Sequence, residues 1–492
     1  MSAKIGLIER FLYNFAPLTA IKRAKARLYL ETLQSKRIYE AAARTRRTSG
    51  WIANATSANA ETLSSLQVLR SRSRDLTRND GFASKAIQTI VENTVGTGII
   101  AKPTGKASAK NKAASIAWKK WAESTDCDFD NRNDFYGIQA ICMREMAEAG
   151  EVLVRKIKTT DEIPLRLQVL EADFLDITRN MRLSDGGYIA QGVEFDKRGK
   201  RVAYHIWENH PGDSLVIAKS ILPIRIPADE IIHMYRVDRA SQVRGVPWGA
   251  SVLLALKDLN EYQDAQLIKQ KLASAFVGFV YDSETPVDSG DGVAPIDKME
   301  PGTLEYLPPG KDIKFSTPPD ASGYGEYTAS VLRHIAAGFG IPYESLTGDF
   351  SQVNFSSGRM GWLEFQRNIE AWRWRILIPS LCNPVFEWFK SAAFLAGYGD
   401  LSQVAAEWTP PKREMIDPTK EIAATQNAVR SGFMSLPEAI RQSGYDPETV
   451  LAEISESNKL LDKYALILDS DPRTSTKAGI AQIPQDNGGA QS

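Results

Sequence analysis

Gly340-Ile341-Pro342-Tyr343-Glu344-Ser345-Leu346-Thr347-Gly348-Asp349-Phe350, and after three further residues Asn354-Phe355-Ser356-Ser357-Gly358-Arg359, lies between two stretches of helical periodicity. Before it, Tyr324, Tyr327, Val331, Ile335 and Phe339 fall along one broad helical face. After it, Trp362, Phe365, Ile369, Trp372 and Ile376 recur at spacings of three and four, a narrow seam of large side chains. The stretch itself is punctuated by Pro and Gly and rich in hydroxyls and amides, so locally it reads as a connection between two helices.

Moving outward, residues 276–319 are short β-like pieces in a Gly/Pro/Asp setting that ends in two Pro-Pro pairs. Upstream, residues 248–275 contain no Gly or Pro other than Gly249, which predicts one helix about 40 Å long. Its apolar face moves: Val252, Leu256 and Leu259 share one side, whereas Ile268, Leu272 and Ala275 lie nearly opposite. A helix that leaves a core and continues against other copies of the chain would show that change. Residues 150–236 read as β-rich, with Val193 and Phe195, then Val202, Tyr204 and Ile206, flanking the turn Asp196-Lys197-Arg198-Gly199. Residues 61–149 read as helical, with Asp80 as an N-cap and further helices carrying Trp118 and Trp121 and starting near Asp134. Toward the C-terminus, Asp417-Pro418 and Asp446-Pro447 mark helix starts, and Ser435-Leu436-Pro437-Glu438 reads as a capping box.

Lys+Arg and Asp+Glu both total 60 in a chain of 492 residues, which argues against coating nucleic acid through a general basic surface. A conduit for a sliding polyanion is compatible with neutrality. Charge is nevertheless uneven: residues 1–47 hold eleven Lys/Arg against three Asp/Glu. That arm is either a solvated terminus or a docking segment for scaffold, capsid or nucleic acid. Cys127, Cys142 and Cys382 are far apart and form no C-x-x-C pair, so a reducing compartment is expected. No apolar run approaches the eighteen or so residues needed to cross a bilayer, and the N-terminus lacks a signal-peptide pattern. A soluble product without membrane partners is expected.

The motifs of chemistry are largely missing. There is no phosphate-cradling G-x-x-x-x-G-K-[ST], as a motor ATPase needs, and no G-x-S-x-G elbow. Gly96-Thr97-Gly98 reads as a helix stop. Asp126, Asp128 and Asp130 start like a calcium loop, but Asn131 and Gly137 stand where its Gly and bidentate Glu belong. His205, His210, His233 and His334 have no ligand spacing, and His205 and His233 read as structural. No catalytic residue, metal or cofactor is expected.

The opening stretch resembles the corresponding portion of lambda-like bacteriophage portal proteins. So do Gly245-Val246-Pro247-Trp248, Ile416-Asp417-Pro418-Thr419-Lys420-Glu421, and Arg70-Ser71-Arg72-Ser73-Arg74-Asp75-Leu76 with Asn79-Asp80 beyond. Four matches in order, spanning roughly residues 40 to 460, are more specific than any one. The resemblance implies an α+β portal fold that assembles as a ring, typically a dodecamer. Its parts would be a basic flexible arm (1–60), a mixed α/β wing (61–247), a first stem helix (248–275), a small β-containing clip (276–319) and a second stem helix (320–340). A tunnel loop (341–361), a long helix returning to the wing (362–411), a helical crown (412–470) and a disordered tail (471–492) would follow.

By that resemblance the chain is not an enzyme but a virion protein at a unique capsid vertex, present in host cytoplasm during assembly. It would conduct double-stranded DNA during packaging and ejection. Its partners would be further copies of itself, the terminase large subunit, head-completion or tail-joining proteins, and major capsid and scaffold proteins. Asp349, Phe350, Gln352, Asn354, Phe355 and Arg359 are the candidate tunnel-loop residues. Lys269, Lys271 and Arg359 are candidate phosphate contacts, with subunit salt bridges or solvated positions as the alternative. The other readings are a different phage ring adaptor or tail connector, or an assembly enzyme such as a nuclease or protease.

Overall fold

In a computed structural model of the chain, the described residues are 55–213, 222–274, 278–282, 311–315, 323–412 and 417–466, with isolated positions outside those ranges. Met1–Thr56 and Ser57–Ser492 are separate units, and the second is described here. The basic arm of residues 1–47, most of the insert 276–319 and the tail from 471 lie almost wholly outside the described residues.

The second unit starts with helix α1 (Ala58–Asn79), capped by Ser57, and Asp80 then caps α2 (Gly81–Thr94) through a 2.6 Å bond from the Ala83 amide. Leu66, Arg70, Ser73 and Thr77 form the buried face of α1, at helical spacings of four, three and four. After Gly96 and Gly98, both at positive φ, come β1 (Ile100–Thr104), α3 (Ser108–Ala122) and α4 (Phe135–Ala149). Asp134 caps α4, and Gly150 ends it in the left-handed region.

A three-stranded antiparallel sheet follows, ordered β3-β2-β9, from β2 (Glu151–Ile157), β3 (Arg166–Glu171) and β9 (Ile231–Tyr235). Between β3 and β9 lies a five-stranded meander of β4 (Met181–Arg182), β5 (Tyr188–Ala190), β6 (Val193–Phe195), β7 (Arg201–Ile206) and β8 (Ile224–Pro227). The Asp196–Gly199 turn forms as expected: the Asp196 carboxylate accepts from the Arg198 and Lys200 amides, and Gly199 has φ 81°. The mixture of helix and antiparallel sheet is the expected α+β class.

The helix expected from Trp248 begins later, as α5 (Leu253–Ser274). Residues 248–252 form tight turns instead, and Gly249 lies against the Phe339 ring, where a Cβ would come within 2.5 Å of it. The strands β10 (Gly278–Asp282) and β11 (Lys311–Phe315) pair antiparallel, so the segment between them leaves and returns at one place. Helix α6 (Tyr324–Phe339) then packs on α5. Val252, Leu256 and Leu259 are buried, as are Leu332, Ile335 and Phe339 facing them. By contrast Leu254, Leu267 and Ile268 are 70%, 51% and 58% exposed, so part of the apolar surface of α5 is not covered by the described residues. Gly338 of α6 lies against Val252 just before α5, where a Cβ would overlap it, while Tyr262 stacks on Tyr324 and meets Tyr327 edge-on farther along. We expect Gly338→Ala to destabilise the unit by about 1–3 kcal/mol through overpacking. An unfolding midpoint equal to the parent's would show that the helices separate without cost.

A short helix α7 (Tyr343–Thr347) precedes α8 (Phe355–Trp372). The long helix therefore starts at Phe355 and not at Trp362, because Asn354 and Ser357 form a reciprocal capping box. It also ends earlier than residue 411. A π-helical segment (Arg373–Cys382) carries it past Pro379, whose missing N–H and bulky ring rule out the ordinary i→i+4 turn. α9 (Asn383–Leu395) completes the rod, and Gly397 and Gly399 at positive φ turn the chain into β12 (Ala405–Thr409), which pairs with β1. That return places Trp408 beside Trp118 and Phe386 in a cluster that also holds Trp121, Phe135 and Phe389. Last come α10 (Pro418–Arg430), α11 (Leu436–Gln442) and α12 (Pro447–Lys463), with Asp417, Ser435 and Asp446 as caps. The Ser435 box is only half formed: its hydroxyl accepts from the Glu438 amide, but the Glu438 carboxylate turns to Arg441.

Candidate functional site

The connection from α7 to α8 is an exposed loop held together from within. Gly348, at φ 72°, ends α7. The Asp349 carboxylate accepts from the Ser351 amide at 3.0 Å, and Tyr343 donates its hydroxyl to the same carboxylate at 3.4 Å. Arg333 on α6 stacks over the Tyr343 ring at 5.0 Å. Hydrogen bonds from Ser351 hold the Asp349 carboxyl below its ordinary value, so the loop carries a fixed negative charge. Phe350 and Phe355 stand 65% and 59% exposed, and Gln352 is exposed between them.

Asn354 has a second role that the sequence reading missed. Its side-chain oxygen accepts from the Ser357 amide at 2.8 Å and starts α8. The N-x-x-S spacing was the available signal. Arg359 is exposed one turn into α8, and the Asp417 carboxyl at the start of the C-terminal helices is held low mainly by hydrogen bonds from Lys420. Lys269 is half-buried and Lys271 exposed on the last turns of α5, and neither lacks partners within the chain. From Val252, at the Gly338 contact, to Lys269 is roughly 25 Å of helix. The loop follows the other end of α6, so these lysines and the loop lie at different levels along the helix pair.

Elsewhere, the groups that might do chemistry are engaged structurally. Asp128 accepts from the amides of Asp130, Arg132 and Asn133, which makes the acidic 126–130 stretch a closed polar loop. Glu171, Asp173 and His210 come within ligand distance of one another, but the Arg74 guanidinium already bonds Glu171 at 2.7 Å and Asp173 at 2.5 Å. Burial pushes all three cysteine thiols upward, away from thiolate chemistry.

Residues 44–373 match the family described as phage portal protein, lambda family. The chain belongs to that family. A probable portal protein of Halomonas phage phiHAP-1 is 27% identical over 446 residues, covering 85% of this chain and 86% of its own. Portal protein B of Escherichia phage lambda is 23% identical over 445 residues, covering 78% and 81%. Among solved structures, a chain of the native gene transfer agent neck computed with C12 symmetry covers 76% of this chain and 94% of its own length. Its identity is 16% and its TM-score 0.43. The portal family is structural, and a DNA channel is its general role.

Two of the four portal-like stretches meet at one buried carboxylate, Glu151 at the head of β2. Arg70 donates to it at 2.8 Å and also to Asp173 and the Ala149 carbonyl. Arg244, fully buried, forks onto it at 2.5–3.0 Å, His233 reaches it at 2.8 Å, and the Gly245 amide donates at 2.9 Å. Burial alone would raise the Glu151 carboxyl. The charge of Arg244, the hydrogen bond from His233 and the charge of Arg70 outweigh it and hold the group far below the usual range. Gly245 must be glycine here, since a Cβ would collide with the backbone of Gly150. The clamp ties α1, β2 and the turn entering α5 into one joint. An arginine on a buried face at helical spacing, Leu66-Arg70-Ser73-Thr77, was its trace in the sequence.

Proposed function

We propose that this portal chain is the subunit of a closed ring at one vertex of a virion, conducting DNA during packaging and ejection. In this reading residues 61–247 form the wing, α5 and α6 the stem, residues 276–319 the clip, and α10 to α12 the crown. The loop between α7 and α8 faces the DNA. The observation that carries the ring is α5: its first half is buried against α6, whereas Leu267 and Ile268 beyond remain exposed. Adjacent apolar side chains left uncovered on a helix are a surface that further copies of the chain would cover.

The loop supports the conduit. Its residues 348–358 carry one carboxylate and no lysine or arginine, so phosphates slide past amides, hydroxyls and aromatic rings without being trapped. Arg359 follows the loop as its first base, and Lys269 and Lys271 lie at a different level of the stem. Terminase large subunit and head-completion or tail-joining proteins would dock on the clip, and capsid and scaffold proteins around the wing. The chain would act without catalysis, cofactor or metal.

The test is the mass and symmetry of the purified protein, by light scattering and electron-microscope class averages. A closed ring with a central hole is expected, about 650 kDa for twelve copies of 54.4 kDa. A monomer that forms no ring even at high concentration would defeat the proposal.

A further inference from the structure

Helix α12 runs off its own subunit. Its first turn is tied down: Asp446 caps it at the Thr449 amide, and Lys102 reaches Asp446 at 3.3 Å and Glu448 at 3.1 Å. Val450 there lines a groove beside α11. From Leu451 to Ser457 every residue is exposed, and Ile454 and Leu460 are each about half exposed. At 100° per residue Val450, Ile454 and Leu461 share one side. The apolar face that begins on the body therefore continues beyond it without a partner. A helical stretch of about a dozen residues standing alone is marginal in water.

The complementary shape lies on the same chain. Between α10, α11 and the body is an open groove of about 1370 Å³, walled by Trp374, Pro411, Ile422, Val429, Leu436 and Tyr445. Among the described residues, none of α12 beyond Val450 lines it. Charge also matches. Arg430 on the rim has no ion-pair partner among the described residues, and neither do Glu453 and Glu456 on the flank of the projecting helix.

We propose that the projecting half of α12 in one copy lies in this groove on the next, with Ile454 and Leu461 against Val429 and Ile422, and Glu453 and Glu456 toward Arg430. This rests on the ring reading above. Ridge and groove are different patches of one surface, so each copy both gives and receives, and such a head-to-tail contact continues until a ring closes.

The test joins Val429→Cys with Ile454→Cys in the full chain, whose native cysteines are all buried. After mild oxidation of assembled protein, a non-reducing gel should show a ladder extending past the dimer. A ladder that stops at the dimer, a cross-linked monomer or no cross-link would each overturn the contact. Arg430→Glu should cut the ladder several-fold, and adding Glu453→Arg with Glu456→Arg should restore it; no response to the reversal would likewise overturn the contact. If the unsubstituted chain forms rings while the ladder fails, only this contact falls. If it stays monomeric, the ring reading falls with it.

Discussion

Glu151→Gln is expected to cost about 3–5 kcal/mol of stability, more than any other single change considered for this chain. The mutation leaves the fully buried Arg244 guanidinium without a carboxylate and strips Arg70 of one of its two, Asp173 being the other, in a site with almost no water-exposed surface. Removing one partner of a buried charged cluster costs this much because the remaining charge is neither solvated nor paired. The measurement is chemical or thermal unfolding of the purified subunit beside Arg74→Ala, which alters a partly exposed neighbour of the same cluster. A loss below about 1 kcal/mol for Glu151→Gln would mean that the clamp is not what joins α1, β2 and the turn into α5. The pH dependence has a defined sign. Because the folded carboxyl lies below its unfolded value, its contribution is present above the unfolded value and is lost only as pH falls well below the usual carboxylate range. The Gln variant should be insensitive to that acid limb.

The second large effect is expected at Gln352. Changing it to Lys adds one positive charge per subunit to a loop that has none from residue 348 to 358, without touching the Asn354 cap. In a ring those charges converge on one phosphate backbone. DNA retention should then become steeply salt-dependent, with a slope of about 0.9 per phosphate engaged, and packaged DNA should fall on the order of tenfold. Ring mass and unfolding midpoint should match the parent, since Gln352 is exposed. If the ring itself fails to form, the loop belongs to subunit assembly and not to the channel. If packaging and salt dependence are both unchanged, the loop does not face DNA.

Much of the architecture was legible because its causes are local. Asp80, Asp134, Asp417 and Asp446 start helices where their side chains can bond an amide three residues on, and that depends on spacing alone. The Asp196–Gly199 hairpin and the buried side of α5 followed from turn chemistry and periodicity in the same way. The errors arose where a distant neighbour decided. The glycine at position 249 answers to Phe339, some ninety positions away, and the chain beyond α9 returns to pair β12 with β1.

The candidate site divides along the same line. The sequence by itself carried four stretches that resemble portal proteins and a loop with one acid and no base. Only the tertiary structure decided that Asn354 caps a helix, and that Arg70 and Arg244, 174 positions apart, close on Glu151. Spacing encodes what a residue can do with its own turn of backbone. Which buried charge it must neutralise is set by the long-range packing of whole elements, and no local pattern records that.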